Sequence, residues 1–227
     1  MKRFLSIVLV TLFATTALQA ERALSRDDYV TRFESCEAIL REFMEDPRYA
    51  IPQAVLREAK AIIITNQFKA GFLFGLKDGY GVILAKRADG TWSNPGMLNA
   101  GEASFGLQAG GTAIETIYIL TDDATPRILY KGRFNIGVDA KAVAGPKAAE
   151  AERITRSMLD IPVLVYAKNK GLFAGVSVRG GWLQANNNAI RSYYNTRYTL
   201  PELLQGDWVP NQPETDHLVQ FVTQITQ

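Results

Sequence analysis

The chain has 227 residues, 47% hydrophobic and 21% charged, which is the composition of a folded globular protein long enough for one large core rather than of a disordered segment. Its formal charge of +2 falls to 2 − 2 = 0 over residues 21–227, because Lys2 and Arg3 are the only charged residues before Glu21. A neutral body excludes nonspecific nucleic-acid binding driven by counterion release, so any anionic partner has to be met by a local basic patch.

The first twenty residues differ from the rest. Lys2 and Arg3 form a positive start, Phe4 to Ala14 is apolar apart from Ser6 and Thr11, and ALQA ends on the small residue Ala20. This pattern predicts a signal peptide over 1–20, too short to span a membrane comfortably. The mature chain is then expected to be periplasmic or otherwise exported, with peripheral membrane association and no transmembrane segment. The only cysteine, Cys36, lies well past the apolar run, so neither a lipid-modified N-terminus nor an intrachain disulfide is expected.

Residues 25–45 predict an amphipathic helix. Ser25 suits the N-cap, Asp27 and Asp28 suit the first turn, and Tyr29, Phe33, Cys36, Leu40 and Phe43 form one apolar stripe. The other face carries Glu34, Glu37, Glu42 and Glu45 beside Arg32 and Arg41, unlike the basic face of a lipid-surface helix, so the stripe is expected to dock on the protein's own core. A short second helix is expected from Pro52 to about Lys60.

Strands follow at 61–65, 72–76 and 80–86, with Asp89-Gly90 as a tight turn and Trp92–Pro95 leading into a loop. Further strands are expected at 104–111 and 114–121, with one or two more over 127–138. A helix is expected from Gly145-Pro146 to about Ser157, and a strand at 163–167. Lys168 to Leu183, KNKGLFAGVSVRGGWL, reads as a glycine-punctuated strand with Val176 and Val178 alternating against Ser177 and Arg179. Glycine is costly there unless a strand, a ligand or a bulge comes close. Phe68 to Val82, FKAGFLFGLKDGYGV, has the same texture, and the two stretches read as matching parts of one sheet. Helices are expected at 186–194 and 201–204. The expectation is α+β: a single domain over 21–209 with a mostly antiparallel, glycine-rich sheet, partly closed, packed with N-terminal and internal helices, and a polar tail over 210–227.

Catalytic constellations are missing. The single histidine, His217, lies in the expected tail, outside any core triad or metal site. Adjacent Asp122 and Asp123 read as a turn rather than as an acid–base pair, and no glycine loop fits a nucleotide-binding pattern. No enzyme, cofactor or metal is expected, and Trp182 is expected to anchor the core. Lys168 and Lys170 precede Gly171-Leu172-Phe173, while Lys69 and Lys77 flank Phe72 to Phe74. Cations beside apolar groups at strand ends suit a lipid surface, although buried aromatics with solvated lysines are the plainer reading of composition alone.

The ordered elements ITNQFKAGFLFG, GYGVILAKRADGTWSNPGML, FGLQAGG, AVAGPKAAEAE and VYAKNKGLFAGVSVRGGWL, followed by NNNAIRSYY, together resemble the SYLF domain family, also called the Ysc84 actin-binding family. Lys170 to Ser177 match its KGLFAGVS element and Gly90 to Pro95 its G-x-W-S-x-P element. The resemblance covers about residues 30–205 and implies a lipid-binding domain, since animal relatives bind phosphoinositide membranes and fungal relatives also bind actin. The leader and the lack of an SH3 or FYVE module resemble the stand-alone bacterial exported branch. The acidic N-terminal helix departs from the basic segment of the animal relatives, so what carries over is phospholipid binding as a class. In this reading Lys168, Lys170, Lys69, Lys77 and Arg179 meet an anionic phospholipid surface. Gly171, Leu172, Phe173 and Phe72 supply the apolar contact. The alternative is a protein-interaction module with a protein partner.

Overall fold

A computed structural model describes residues 24–71, 74–105, 110–147, 150, 154–170 and 181–227, with side chains described throughout except at 69–71, 74–78, 102–105, 110–112 and 169–170. The expected leader over 1–20 and the Val176/Val178 alternation lie outside the described residues.

Helix α1 (Arg26–Glu45) forms where the apolar stripe and the cap place it. The Ser25 hydroxyl accepts from the Asp28 amide at 3.2 Å while the Asp28 carboxylate accepts from the Ser25 amide at 2.8 Å, closing a capping box. Tyr29, Phe33, Cys36, Ile39, Leu40 and Phe43 are buried. Helix α2 (Gln53–Arg57) is shorter than expected, ending before Lys60.

Eight strands follow: β1 (Ala61–Gly71), β2 (Phe74–Ala85), β3 (Gly96–Phe105), β4 (Gly110–Leu120), β5 (Arg133–Asn135), β6 (Ala142–Ala144), β7 (Val163–Lys170) and β8 (Gly181–Ala185). They form one curled sheet, a half-barrel, in the order β5-β8-β3-β2-β1-β4-β7-β6. Every pair is antiparallel except β6 beside β7. The predicted α+β single domain with a mostly antiparallel sheet is thus the observed architecture. Ile62, Ile63 and Ile64 are fully buried, so both faces of β1 are covered near its start.

Glycine permits the curl where backbones crowd. A Cβ at Gly79 would overlap the Asn66 carbonyl and the Gln67 backbone of β1, so the close neighbour there is the adjacent strand.

The Trp92–Pro95 loop joins distant parts of the chain. Trp92 Nε1 donates to Thr226 at 3.0 Å, Asn94 Nδ2 donates to the Val209 carbonyl at 2.8 Å, and the Tyr194 hydroxyl donates to the Pro95 carbonyl at 2.8 Å. Tyr194 ends α5 (Asn187–Tyr194), which Asn186 caps by accepting from the Ala189 amide at 3.0 Å. Helix α6 (Leu200–Gln205) follows and buries Leu200, Leu203 and Leu204.

The structure corrects the strand expected over 104–111 and the helix expected after Gly145. The stretch read as a strand over 104–111 divides between the end of β3 and the start of β4, which are not neighbours in the sheet. Of the one or two strands expected over 127–138 the structure shows one, β5; ahead of it Asp122 accepts from the Ala124 and Thr125 amides at 3.0 and 2.6 Å and starts a 3-10 turn (Thr125–Arg127). That turn runs straight into α3 (Ile128–Lys131). The helix expected from Gly145-Pro146 shows, among the described residues, as strand β6 before it and the short α4 (Arg156–Leu159) near its end.

The expected polar tail contains α7 (Pro213–Ile225), packed on α1. Its apolar residues Leu218, Val222 and Ile225 recur at helical spacing among many polar ones, which masked the signal. Leu218 and Val222 are 1% and 0% exposed. Replacing Leu218 with Ala should cost about 2–5 kcal/mol in urea denaturation. His217→Ala, at an exposed position one residue away, should change stability by less than about 0.5 kcal/mol.

Candidate functional site

The register aligns residues of successive strands into rows across the sheet. One row runs Lys168, Glu115, Asn66, Tyr80, Asn99 and Gln184. Asn66 Nδ2 donates to Ser35 of α1 at 3.0 Å and to the Tyr80 hydroxyl at 3.3 Å, and the Arg32 guanidinium lies 4.7 Å from the Tyr80 ring centre. This polar row therefore faces α1, and alternation puts the buried Ile64 on the same side, two residues earlier. The apolar cover ends at this row.

Two residues further along, the next row on that face joins the positions of Lys170, Ala113, Phe68, Asp78, Gly101 and Trp182. Phe68 is 58% exposed, one of the most exposed large apolar side chains among the described residues. The Trp182 ring lies over Gly101, where a Cβ would overlap it, and the Arg133 guanidinium sits 4.1 Å from a Trp182 ring centre. Trp182 is part-buried, not the core anchor expected from sequence. The result is a rim of aromatic faces and cations beyond the covered core, at the end of the sheet where β1 and β2, β3 and β4, and β7 and β8 meet their connections.

The predicted site residues distribute as follows. Lys69 and Lys77 occupy directly paired positions one residue out of phase with Phe68. Lys170 pairs with Ala113 at the end of β7. Phe72, Gly171, Leu172, Phe173 and Arg179 lie outside the described residues. Lys168 is not a free cation: its Nζ is 2.6 Å from Glu42 of α1 and 5.2 Å from the Tyr49 ring centre, and its side chain is 13% exposed. It ties α1 to β7. Beside it Phe43, Tyr49, Gly145, Val165, Tyr166 and Ala167 line an apolar hollow of about 180 Å³.

Sequence reasoning missed Phe68, Arg133 and the part-buried placement of Trp182. Phe68 heads a stretch already singled out, but its exposure follows from where the apolar cover stops. Arg133 reaches Trp182 only through the β5–β8 pairing.

Cys36 is fully buried, its thiol 3.8 Å from the Ile64 carbonyl, and burial pushes it up to about 12. Among the described residues no group of three or more His, Cys, Asp or Glu is placed to hold a metal ion, and no helix is long and apolar enough to cross a membrane.

The class is an α+β domain built on a half-barrel sheet. The chain belongs to the Ysc84 family, whose model, described as Las17-binding protein actin regulator, matches residues 101–225. Similar proteins include LAS seventeen-binding protein 3 of Saccharomyces cerevisiae, 37% identical over 69% of this chain and 35% of its own length. Protein YSC84 of the same yeast is 33% identical over 81% of this chain and 41% of its own. The human SH3 domain-containing YSC84-like protein 1 is 29% identical over 83% of this chain and 57% of its own. The chain thus spans between about a third and somewhat over half of the length of these relatives. No solved structure matches.

Two outcomes follow. Lys168→Met, which keeps the apolar stem and removes the charge, should cost about 1–2 kcal/mol in denaturant titration, and Lys168→Glu should cost more by setting a second carboxylate beside Glu42. Cys36 in the folded protein at pH 8 should react with a thiol reagent at a rate on the order of a thousandfold below that in denaturant, since labelling needs opening of the α1–β1 contact as well as a thiolate.

Proposed function

We propose that this chain is a non-catalytic domain that binds anionic phospholipid at a membrane surface, and that the exported form implied by residues 1–20 works at a cell-envelope membrane. The observation that supports this is the aromatic–cation rim. Phe68 stands exposed in line with Trp182, Arg133 caps that indole, and Lys170 holds a position in the same row. Aromatic faces beside cations suit the boundary between headgroups and acyl chains. In this reading Lys168 positions α1 against the sheet, and the lipid is met by the row beyond it.

A protein-interaction role is the second reading. Its support is the family's description as a Las17-binding actin regulator and the exposure of Trp208, 60% accessible and far along the chain from the rim.

Co-sedimentation of the chain from Glu21 with vesicles decides between them. Binding is expected to anionic vesicles, weakening from low to physiological salt, and to be absent with neutral ones. Phe68→Ser should weaken it roughly ten- to a hundredfold, the value of one buried phenyl group, with the melting temperature unchanged. Binding that ignores headgroup and salt moves the site to an apolar pocket such as the hollow beside Tyr166. No binding to either vesicle removes the lipid reading, and pull-down of a protein partner without lipid favours the second.

A further inference from the structure

The opposite end of the sheet carries a separate cleft of about 500 Å³, within the size range of small-ligand pockets. Four cations line it, Lys60, Lys86, Arg87 and Arg127, against a single carboxylate, Asp123. Phe68 lies eight residues along β1 from Lys60, roughly 25 Å at about 3.3 Å per residue, so the cleft stands apart from the lipid reading.

Fixed backbone holds these cations together. The Lys60 amide donates to the Leu120 carbonyl at 2.7 Å and the Lys86 amide to the Lys60 carbonyl at 2.8 Å, which joins the ends of β4, β1 and β2. The Arg87 guanidinium donates to the Gly206 carbonyl at 2.7 Å and to the Trp92 carbonyl at 3.4 Å, so the loops around it position it, with Asp89 as the nearby carboxylate on its own turn. Arg127 ends the 3-10 turn that Asp122 caps. Tyr130 and Gln205, which lie 3.5 Å apart, add neutral donors to the wall.

We propose that this cleft binds a multiply charged phosphate group, carried by a soluble small molecule or by a lipid headgroup. Four cations around one cleft against one lining carboxylate leave positive charge in excess, and a phosphoanion offsets it while accepting hydrogen bonds from ammonium and guanidinium groups. Concavity favours a compact ligand over a peptide, which would lie along a surface.

The test is titration of inorganic pyrophosphate into the full chain by calorimetry and thermal melting, against sodium chloride at matched ionic strength. Saturable binding with a raised melting temperature is expected. Lys86→Gln with Arg127→Gln should weaken it at least about tenfold, one charge-assisted contact's worth, and leave the unliganded melting temperature equal or higher as repulsion falls. Phe68→Ser should leave it unchanged. Should the double variant fail to fold, NMR shifts of the unaltered protein decide: changes centred on Lys60, Lys86, Arg127 and Tyr130 support the site, and changes elsewhere overturn it. Phosphatidylcholine vesicles with and without phosphatidic acid identify the source. Phosphatidic-acid binding weakened by the double variant assigns a headgroup, whereas pyrophosphate binding without that sensitivity assigns a free ligand. Stabilisation no greater than that by chloride, or affinity equal in variant and parent, overturns the proposal.

Discussion

In β1, backbone hydrogen bonding to both neighbours runs from Ala61 to Gly71, whereas the apolar cover on its α1-facing side ends at Ile64. Pairing is a property of the backbone and continues wherever strands stay extended, while burial depends on what lies above. The residues between the two limits have to suit water or a partner. Asn66, Tyr80 and Asn99 meet that demand with hydrogen bonds and a cation above a ring. Phe68 does not, and it stands exposed in the row beyond the cover.

The position of α1 sets that limit. Its capping box fixes where the helix starts, and its buried stripe fixes which side meets the sheet. Ser35 bonded to Asn66, and Glu42 bonded to Lys168, then fix how far along the strands it reaches. The acidic face that sets this helix apart from a basic membrane-surface helix thus has an internal use: Glu42 holds the lysine that sequence alone assigns to phosphate. Cations serve two purposes in this chain, some tying helices to the sheet and others standing beside aromatic rings at its margin.

Much of the fold was legible because it rests on local chemistry. The Ser25–Asp28 cap, the Tyr29-to-Phe43 stripe and the Asn186 cap are written within a few residues of where they act. The likeness between the Phe68 and Lys168 stretches was also informative, since both end at the same margin of the sheet. The rim itself was less legible. Phe68 differs from a core phenylalanine only through the row it occupies, and that row arises from pairings up to 81 residues apart, between Gly101 and Trp182. Helix α7 was missed because the stretch after Pro210 was read by its polar content, although Leu218, Val222 and Ile225 recur at helical spacing, and Asp122, read as a turn, also caps the turn that leads into α3.

The contacts of α7 also bear on how the molecule assembles during synthesis. Arg26 reaches Glu214 at 2.9 Å, Arg41 lies 4.0 Å from the Phe221 ring centre, and Gln53 donates to the Ile225 carbonyl at 3.1 Å. These partners are separated by more than 170 residues, so α1 lacks its helical neighbour until a long intervening stretch of chain is in place. Closing so large a loop is entropically slow, and an apolar helix waiting that long is vulnerable to wrong partners. The outer face of α1, where glutamates outnumber arginines, leaves the helix with a net negative charge that favours solvation before its inner stripe is covered.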